Sequence, residues 1–294
     1  MQALRTPDAR FADLPGFPWA PHYAQVDGLR MHYVDEGPAD AAVTALCLHG
    51  QPSWAYLYRK MIPVFTAAGV RVVAPDWFGF GRSDKPVDDG WYTFDQHRES
   101  MLRFVAQLDL RNVLLVVQDW GGLLGLTLPL HQPERYTRLL VMNTGLGTGT
   151  VTEGFKQWRA YANSQPDMAI GKLLQRGNPG MTAEEAAAYD APFPDRSYKA
   201  GVRRFPNLVP DHEGAPGAEI SRRAARFWSE HWRGDSFMAI GMQDPVLGPV
   251  PMQALRKQIR GCPEAMEVAD GGHFVQERGG PIATAALRHF GLAS

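Results

Sequence analysis

Val113-Leu-Leu-Val-Val-Gln-Asp-Trp-Gly-Gly122 runs from a β-branched, apolar stretch through an acidic residue and two glycines into the apolar segment Leu123 to Leu130. Val113 to Val117 suits a strand buried on both faces, and the residues after Gly122 suit a helix. A turn this short between strand and helix projects one side chain, Asp119, beyond the end of the strand. In the G-x-S-x-G form of such a turn, the nucleophile elbow, small residues on either side let the backbone reverse. Here Val117 takes the first small position and Gly121 the second, with Asp119 in the nucleophile's place. The plainer alternative is that Asp119 only caps the helix that follows.

Working outward, Val43 to Leu48 before His49-Gly50 and Val70 to Ala74 before Pro75-Asp76 are further buried strands, separated by helix-length segments at Tyr56 to Ala68 and Phe94 to Leu108. Strand alternating with helix predicts the α/β class with a doubly wound, mostly parallel sheet. Leu139 to Met142, Ser236 to Ile240 and Ala265 to Val268 extend it, and residues 22 to 34, turning at Gly28, suit an antiparallel hairpin at its edge. From Gly147 to Trp232 the pattern changes to helix formers such as Thr182-Ala-Glu-Glu-Ala-Ala-Ala-Tyr189, with breaks at Ala191-Pro-Phe-Pro194 and Phe205-Pro206. We read 147–232 as a helical cap inserted into a core made of 1–146 and 233–294.

With 294 residues, 45% of them hydrophobic, the chain has enough apolar material for one large core and a small insertion. A formal net charge of −1 without a Lys/Arg block argues against nucleic acid or an anionic membrane as partner. Two cysteines cannot build a disulfide framework or a thiolate zinc site. The first residues, Met1-Gln-Ala-Leu-Arg-Thr-Pro-Asp8, lack the apolar stretch of a signal peptide, and no run is long enough to span a bilayer. A cytoplasmic monomer without metal or cofactor is expected.

The chemistry follows from order. In folds with a nucleophile elbow, an acid and then a histidine come later in the chain. Asp244, in Ile240-Gly-Met-Gln-Asp-Pro-Val246, stands just past a predicted strand, and His273, in Asp270-Gly-Gly-His-Phe274, just past the last one. Upstream, His49-Gly-Gln-Pro52 follows a strand, where a loop can offer a backbone N–H to an oxyanion hole. Gln51 would supply one donor and Trp120 the other. His49 itself is read as a brace for that loop, because His273 already fills the role of base. No His-x-x-x-His or comparable spacing supports a metal site.

A carboxylate at the elbow can displace a leaving group from a saturated carbon and form an alkyl ester. His273, oriented by Asp244, can then activate water against the ester carbonyl. Two leaving groups fit, a halide or an epoxide oxygen. The oxygen needs acidic O–H donors, for which the cap offers Tyr161, Tyr189 and Tyr198. The halide needs only N–H donors in an apolar pocket, and the indoles of Trp120 and Trp158 can provide them. The two tryptophans favour the halide. A non-catalytic ligand-binding role on the same scaffold is disfavoured by the presence of nucleophile, acid and histidine together.

The stretches His49-Gly-Gln-Pro-Ser-Trp-Ala-Tyr-Leu-Tyr-Arg-Lys60, Pro75-Asp-Trp-Phe-Gly-Phe-Gly-Arg-Ser-Asp-Lys-Pro86, Val116-Val-Gln-Asp-Trp-Gly-Gly122, Met238-Ala-Ile-Gly-Met-Gln-Asp244 and Gly271-Gly-His-Phe-Val-Gln-Glu277 resemble the haloalkane dehalogenases of the α/β-hydrolase superfamily. The likeness covers nearly the whole chain and is looser from 147 to 200. It is nearest to the subfamily whose acid follows the strand after the cap and whose halide is held by two tryptophans. The resemblance implies Asp119 as nucleophile, His273 as base, Asp244 as acid, and Trp120 and Trp158 as halide donors. It also implies an apolar substrate pocket of Leu123, Phe155, Phe205, Pro206, Val209, Val246 and Leu247. The implied partners are a small halogenated substrate, water and the halide product. One departure stands out: Gln51 occupies a position where better-known members carry Glu, so it could act as a third halide donor or position water.

Overall fold

The protein is described here by a computed structural model of residues 2–293. Its centre is one eight-stranded sheet of β1 (His22–Val26), β2 (Leu29–Glu36), β3 (Thr44–Leu48), β4 (Arg71–Pro75), β5 (Val113–Gln118), β6 (Tyr136–Met142), β7 (Asp235–Gly241) and β8 (Met266–Val268). The spatial order is β8-β7-β6-β5-β3-β4-β2-β1. The strands from β8 to β4 are parallel. Strands β2 and β1 close one edge as an antiparallel hairpin. The hairpin turns through Asp27 and Gly28, both at positive φ, as a two-residue turn matched to strand twist demands. Every residue of β3 and β5 is buried, the reason both read as unbroken apolar runs.

The helices are α1 (Ile62–Ala67), α2 (Phe94–Gln107), α3 (Trp120–Gly125), α4 (Glu153–Ser164), α5 (Ile170–Gly177), α6 (Ala183–Asp190), α7 (Ala200–Arg204), α8 (Ala218–Arg226), α9 (Pro249–Gln258) and α10 (Gly279–His289). Helices α4 to α8 all lie between β6 and β7 in the chain, and no described strand does. Helix α6, where the sequence shows helix formers, opens with a reciprocal capping box between Thr182 and Glu185. Among the described residues, no helix is long and apolar enough to cross a membrane.

Two local expectations are corrected, and one small element is added. The helix expected from Tyr56 to Ala68 is two pieces, a 3₁₀ turn at Ala55–Tyr58 and α1, because Pro63 has no N–H to donate and fits only a first turn. The segment expected to be helical from Leu123 to Leu130 begins at Trp120 and ends as α3 at Gly125, with a 3₁₀ turn at Leu128–Leu130 around Pro129. Ala3–Leu4 pairs antiparallel with Lys85–Pro86 in a second small sheet, too short to leave any periodicity in the sequence.

Strand order reverses at β3. From it the chain passes to β4 on one side and later returns to place β5 on the other, so the crevice at the carboxyl ends of β3 and β5 is the topological switch point. Open α/β sheets bind ligands at such a point. His49-Gly50-Gln51 leaves β3 there, and Asp119 leaves β5.

Candidate active site

Asp119 has φ of 49°, a left-handed conformation that costs a non-glycine residue about 1–3 kcal/mol. Surrounding bonds fix it there. Its N–H donates to the Asn143 carbonyl at 2.9 Å, and its own carbonyl accepts from Gly122 and Leu123 N–H, each at 2.9 Å. Thr144 Oγ1 donates to the same carbonyl at 2.7 Å. The glycines are there for clearance. A Cβ on Gly121 would lie 1.9 Å from the Leu48 carbonyl oxygen, one on Gly122 2.1 Å from Thr144 Oγ1, and one on Gly50 2.5 Å from Asp119 Cβ. The Asp119 side chain makes no bond to the helix it precedes, so the capping alternative fails. It turns instead toward β3, where Gln51 N–H donates to Oδ1 at 2.7 Å. The second expected oxyanion donor, the Trp120 amide, makes no hydrogen bond to the carboxylate.

The loop after β8 brings His273 to the other side of that carboxylate, with Nε2 3.4 Å from Asp119 Oδ2. Nδ1 donates to Asp244 Oδ2 at 2.8 Å. Asp244 leaves the end of β7 and is locked by Val246 N–H on Oδ1 at 2.8 Å and by Asn143 Nδ2 on Oδ2 at 3.0 Å. Burial alone would raise the Asp244 pKa, but the imidazole and these donors outweigh it and hold the acid below its ordinary range. For His273 burial acts to lower the pKa. The charges of Asp244 and Asp119 on either side win, and the imidazole is pushed up to about 10. Gln118 Nε2 donates to the His273 carbonyl at 2.9 Å, tying the histidine loop to the residue before the nucleophile. Asn143, Thr144 and Gln118 were not singled out from sequence. Their signal was available, since each is polar and sits at the carboxyl end of an apolar strand.

His49 has the bracing role expected of it. Its Nε2 accepts from Trp77 N–H at 3.1 Å, so Nδ1 carries the proton and donates to the Gly50 carbonyl at 2.9 Å. Burial lowers its pKa, which agrees with a neutral ring. The imidazole thus holds the loop that presents the Gln51 amide.

Two cavities, of about 340 and 320 Å³, meet at Asp119, Phe155 and Trp158. Trp120, Leu123, Val209 and Leu247 line the first, and Gln51, Val246 and His273 the second. Phe205 and Pro206, expected in the lining, face neither. Phe205 is fully buried behind Trp120, their ring centroids 4.6 Å apart, and the Pro206 carbonyl is taken by Arg159 Nε. Tyr161, Tyr189 and Tyr198 line neither cavity, so neither offers an epoxide oxygen the acidic tyrosine O–H it would require. Tyr189 is buried and donates to Glu277 Oε1, while Tyr161 packs against Trp158.

The indoles differ in whether Nε1–H has an acceptor; half-buried Trp19 and Trp91 have none among the described residues, but they line neither cavity. Buried Trp54, Trp77, Trp228 and Trp232 each donate Nε1–H to an acceptor at 2.8–3.1 Å. Trp120 is equally buried, at 3% exposure, yet its Nε1–H has no acceptor among the described residues, and neither has that of half-buried Trp158. Two unpartnered N–H donors on side chains that line one cavity beside Asp119 make a ready site for an anion. One of the two N–H groups of Gln51 Nε2 is already taken, by the Val202 carbonyl at 3.0 Å. The Oε1 end has no protein partner, an arrangement suited to an ordered water.

Strand order, elbow and the line of carboxylate, imidazole and carboxylate define an α/β hydrolase with an aspartate in the nucleophile's position. A family model described as the alpha/beta hydrolase fold matches residues 45–279. The chain is 44% identical to a haloalkane dehalogenase of Psychrobacter cryohalolentis, the match covering 99% of this chain and 98% of that one. It is 45% identical to haloalkane dehalogenase 1 of Mycobacterium tuberculosis, covering 95% of each. Among solved structures, the tetrameric haloalkane dehalogenase DpaA from Paraglaciecola agarilytica superposes with a TM-score of 0.96 at 49% identity, covering 98% of both chains. DbeA from Bradyrhizobium elkani, at 23% identity and a TM-score of 0.76 over 93% of this chain and 98% of that one, shares the fold. This chain belongs to the haloalkane dehalogenase family.

Proposed function

We propose that this protein hydrolyses carbon–halogen bonds of haloalkanes through a covalent ester on Asp119. The carboxylate attacks the halogen-bearing carbon, the carbon–oxygen bond forms as the carbon–halogen bond breaks, and the halide leaves onto the Trp120 and Trp158 indoles. Water then adds to the ester carbonyl while His273 takes its proton. The Gln51 amide, already on Oδ1, stabilises the oxyanion, with the Trp120 amide as second donor. Collapse restores the carboxylate and releases an alcohol, primary when the substrate is a 1-haloalkane. The observation that carries this reading is the pair of unpartnered indole N–H groups beside the nucleophile, weakly basic donors suited to a halide.

Electrostatics supports the two steps. In the free enzyme His273 lies between two carboxylates, which favour the imidazolium. Esterification neutralises Asp119, removes one of them and lowers the imidazole pKa when a base is needed. Asp244 keeps the ring oriented throughout. Residues 147–232, as a cap, would close the apolar pocket over this machinery. A reducing, cytoplasmic location fits the two cysteines, Cys47 and Cys262, both free. For assembly, the monomer expected from sequence competes with a tetramer like that of DpaA, and light scattering of the purified protein separates them.

The decisive variant is His273→Gln. Alkylation needs no base, so a stoichiometric burst of bromide from 1-bromobutane is expected without steady turnover, and protein mass should rise by one butyl group. A folded variant with neither burst nor added mass would overturn the covalent route.

A further inference from the structure

The two cavities reach Asp119 from different sides and differ in charge. The first runs toward α9 and opens where Thr150, Ala254 and Gln258 are both lining and exposed to solvent. Apart from Asp119, no ionisable side chain lines it. The second passes between the His273 loop and the end of α5, where a Cβ on Gly272 would lie 2.9 Å from the Gly177 carbonyl. Arg176 lines it and is exposed, so the guanidinium stands at an opening. Unlike Arg159 on α4, which is paired with Asp211, Arg176 forms no salt bridge or hydrogen bond with any described residue. Its placement in the last turn of α5 suits the helix dipole, but that alone needs no position in a cavity wall.

We propose that the two cavities divide traffic by charge: the neutral haloalkane reaches Asp119 past α9, and the halide ion leaves past Arg176. The inference rests on the dehalogenase reading above. Once hydrolysis restores the Asp119 carboxylate, the halide beside it is repelled. The apolar passage offers no counter-charge, and an ion entering it loses hydration without compensation. The second passage offers His273 and then Arg176 in succession toward solvent. Arg176 lies along the path rather than at the indoles, so it lowers the barrier for bromide in both directions and leaves the dissociation constant nearly unchanged.

The test uses stopped-flow tryptophan fluorescence for bromide entry and release, and quenched flow for the bromide burst from 1-bromobutane. Arg176→Glu should slow bromide association and release together, on the order of tenfold at low salt, with the burst unchanged. Arg176→Gln should show a smaller change of the same kind. Ala254→Trp, a surface substitution that narrows the first opening, should slow the burst several-fold and leave both bromide rates alone. Bromide rates in Arg176→Glu equal to wild type, or an Ala254→Trp variant that slows bromide as much as the burst, would overturn the proposal. Failure of the underlying reading would look different: wild-type protein itself would release no bromide from 1-bromobutane.

Discussion

The floor of the site and the helical segment above it are held by different means. On the floor, at the ends of β3, β5, β6 and β7, backbone groups and short polar side chains fix Asp119, Asp244 and His273 through bonds of 2.7–3.0 Å, and three glycines allow the chains to approach. Above it, α6 is bolted down. Arg59 of the core donates to both oxygens of Glu277, four residues after His273, and also to Glu185 of α6, while Trp54 Nε1 donates to the Ala188 carbonyl. Helix α4, which carries Phe155 and Trp158, has a lighter tether to the core, Thr152 Oγ1 to the Val246 carbonyl at 3.2 Å, its other bonds running through Arg159 and Asn163 to residues 206–211 of the same helical segment. Bond making requires reacting atoms placed within a fraction of an ångström, and strand ends supply that. Recognition of an apolar substrate and a halide tolerates a more loosely held surface.

The largest break in this contrast should come from the floor. Asp119→Ala is expected to abolish halide release while circular dichroism and the thermal midpoint stay close to wild type, since no other group reaches the substrate carbon. Steady turnover in the folded variant would move the nucleophile elsewhere. Trp158→Phe above the floor removes one of two N–H donors and should slow carbon–halogen cleavage by on the order of 10²-fold, with weaker bromide binding. Unchanged bromide affinity in a fluorescence titration would reduce Trp158 to packing.

A pH series sharpens the comparison further. The imidazolium cannot accept a proton from water, so ester hydrolysis should be fastest above the His273 pKa of the alkylated enzyme and fade as pH falls through it. That pKa lies below the value of about 10 in the free enzyme, because the charge of Asp119 has gone. Alkylation transfers no proton and should stay level over the same range. Quenched-flow bursts that decline in step with hydrolysis would contradict the division of labour. The smallest effect is expected for Trp54→Phe, which leaves the Ala188 carbonyl without its donor. A stability loss of about 1–3 kcal/mol in denaturant titration should appear with bromide binding intact. A bromide defect of the size seen in Trp158→Phe would erase the distinction between bonded and unbonded indoles.

Much of the floor was legible because its chemistry is punctuated locally. Asp119, Asp244 and His273 each stand just past an apolar run, and strand periodicity shows where those runs end. Gln51 and the bracing His49 were found by the same logic. The tyrosines were not separable in that way. Tyr189 reads like any cap tyrosine until Glu277, 88 residues away, is seen to accept its hydrogen bond. Phe205 likewise reads as pocket lining and proves to be the backing of Trp120.

The amino-acid sequence by itself determined the alternation of buried strands and helices, the elbow, and the succession of carboxylate, acid and histidine, since these depend on residue type and spacing along the chain. Only the tertiary structure decided which indoles lack an acceptor, which aromatic rings reach the cavities, and that Arg176 stands at the opening of one of them. Whether a side chain is bonded depends on partners brought together by folding, such as Trp54 and Ala188 at a separation of 134 residues, and no local pattern encodes a contact of that range.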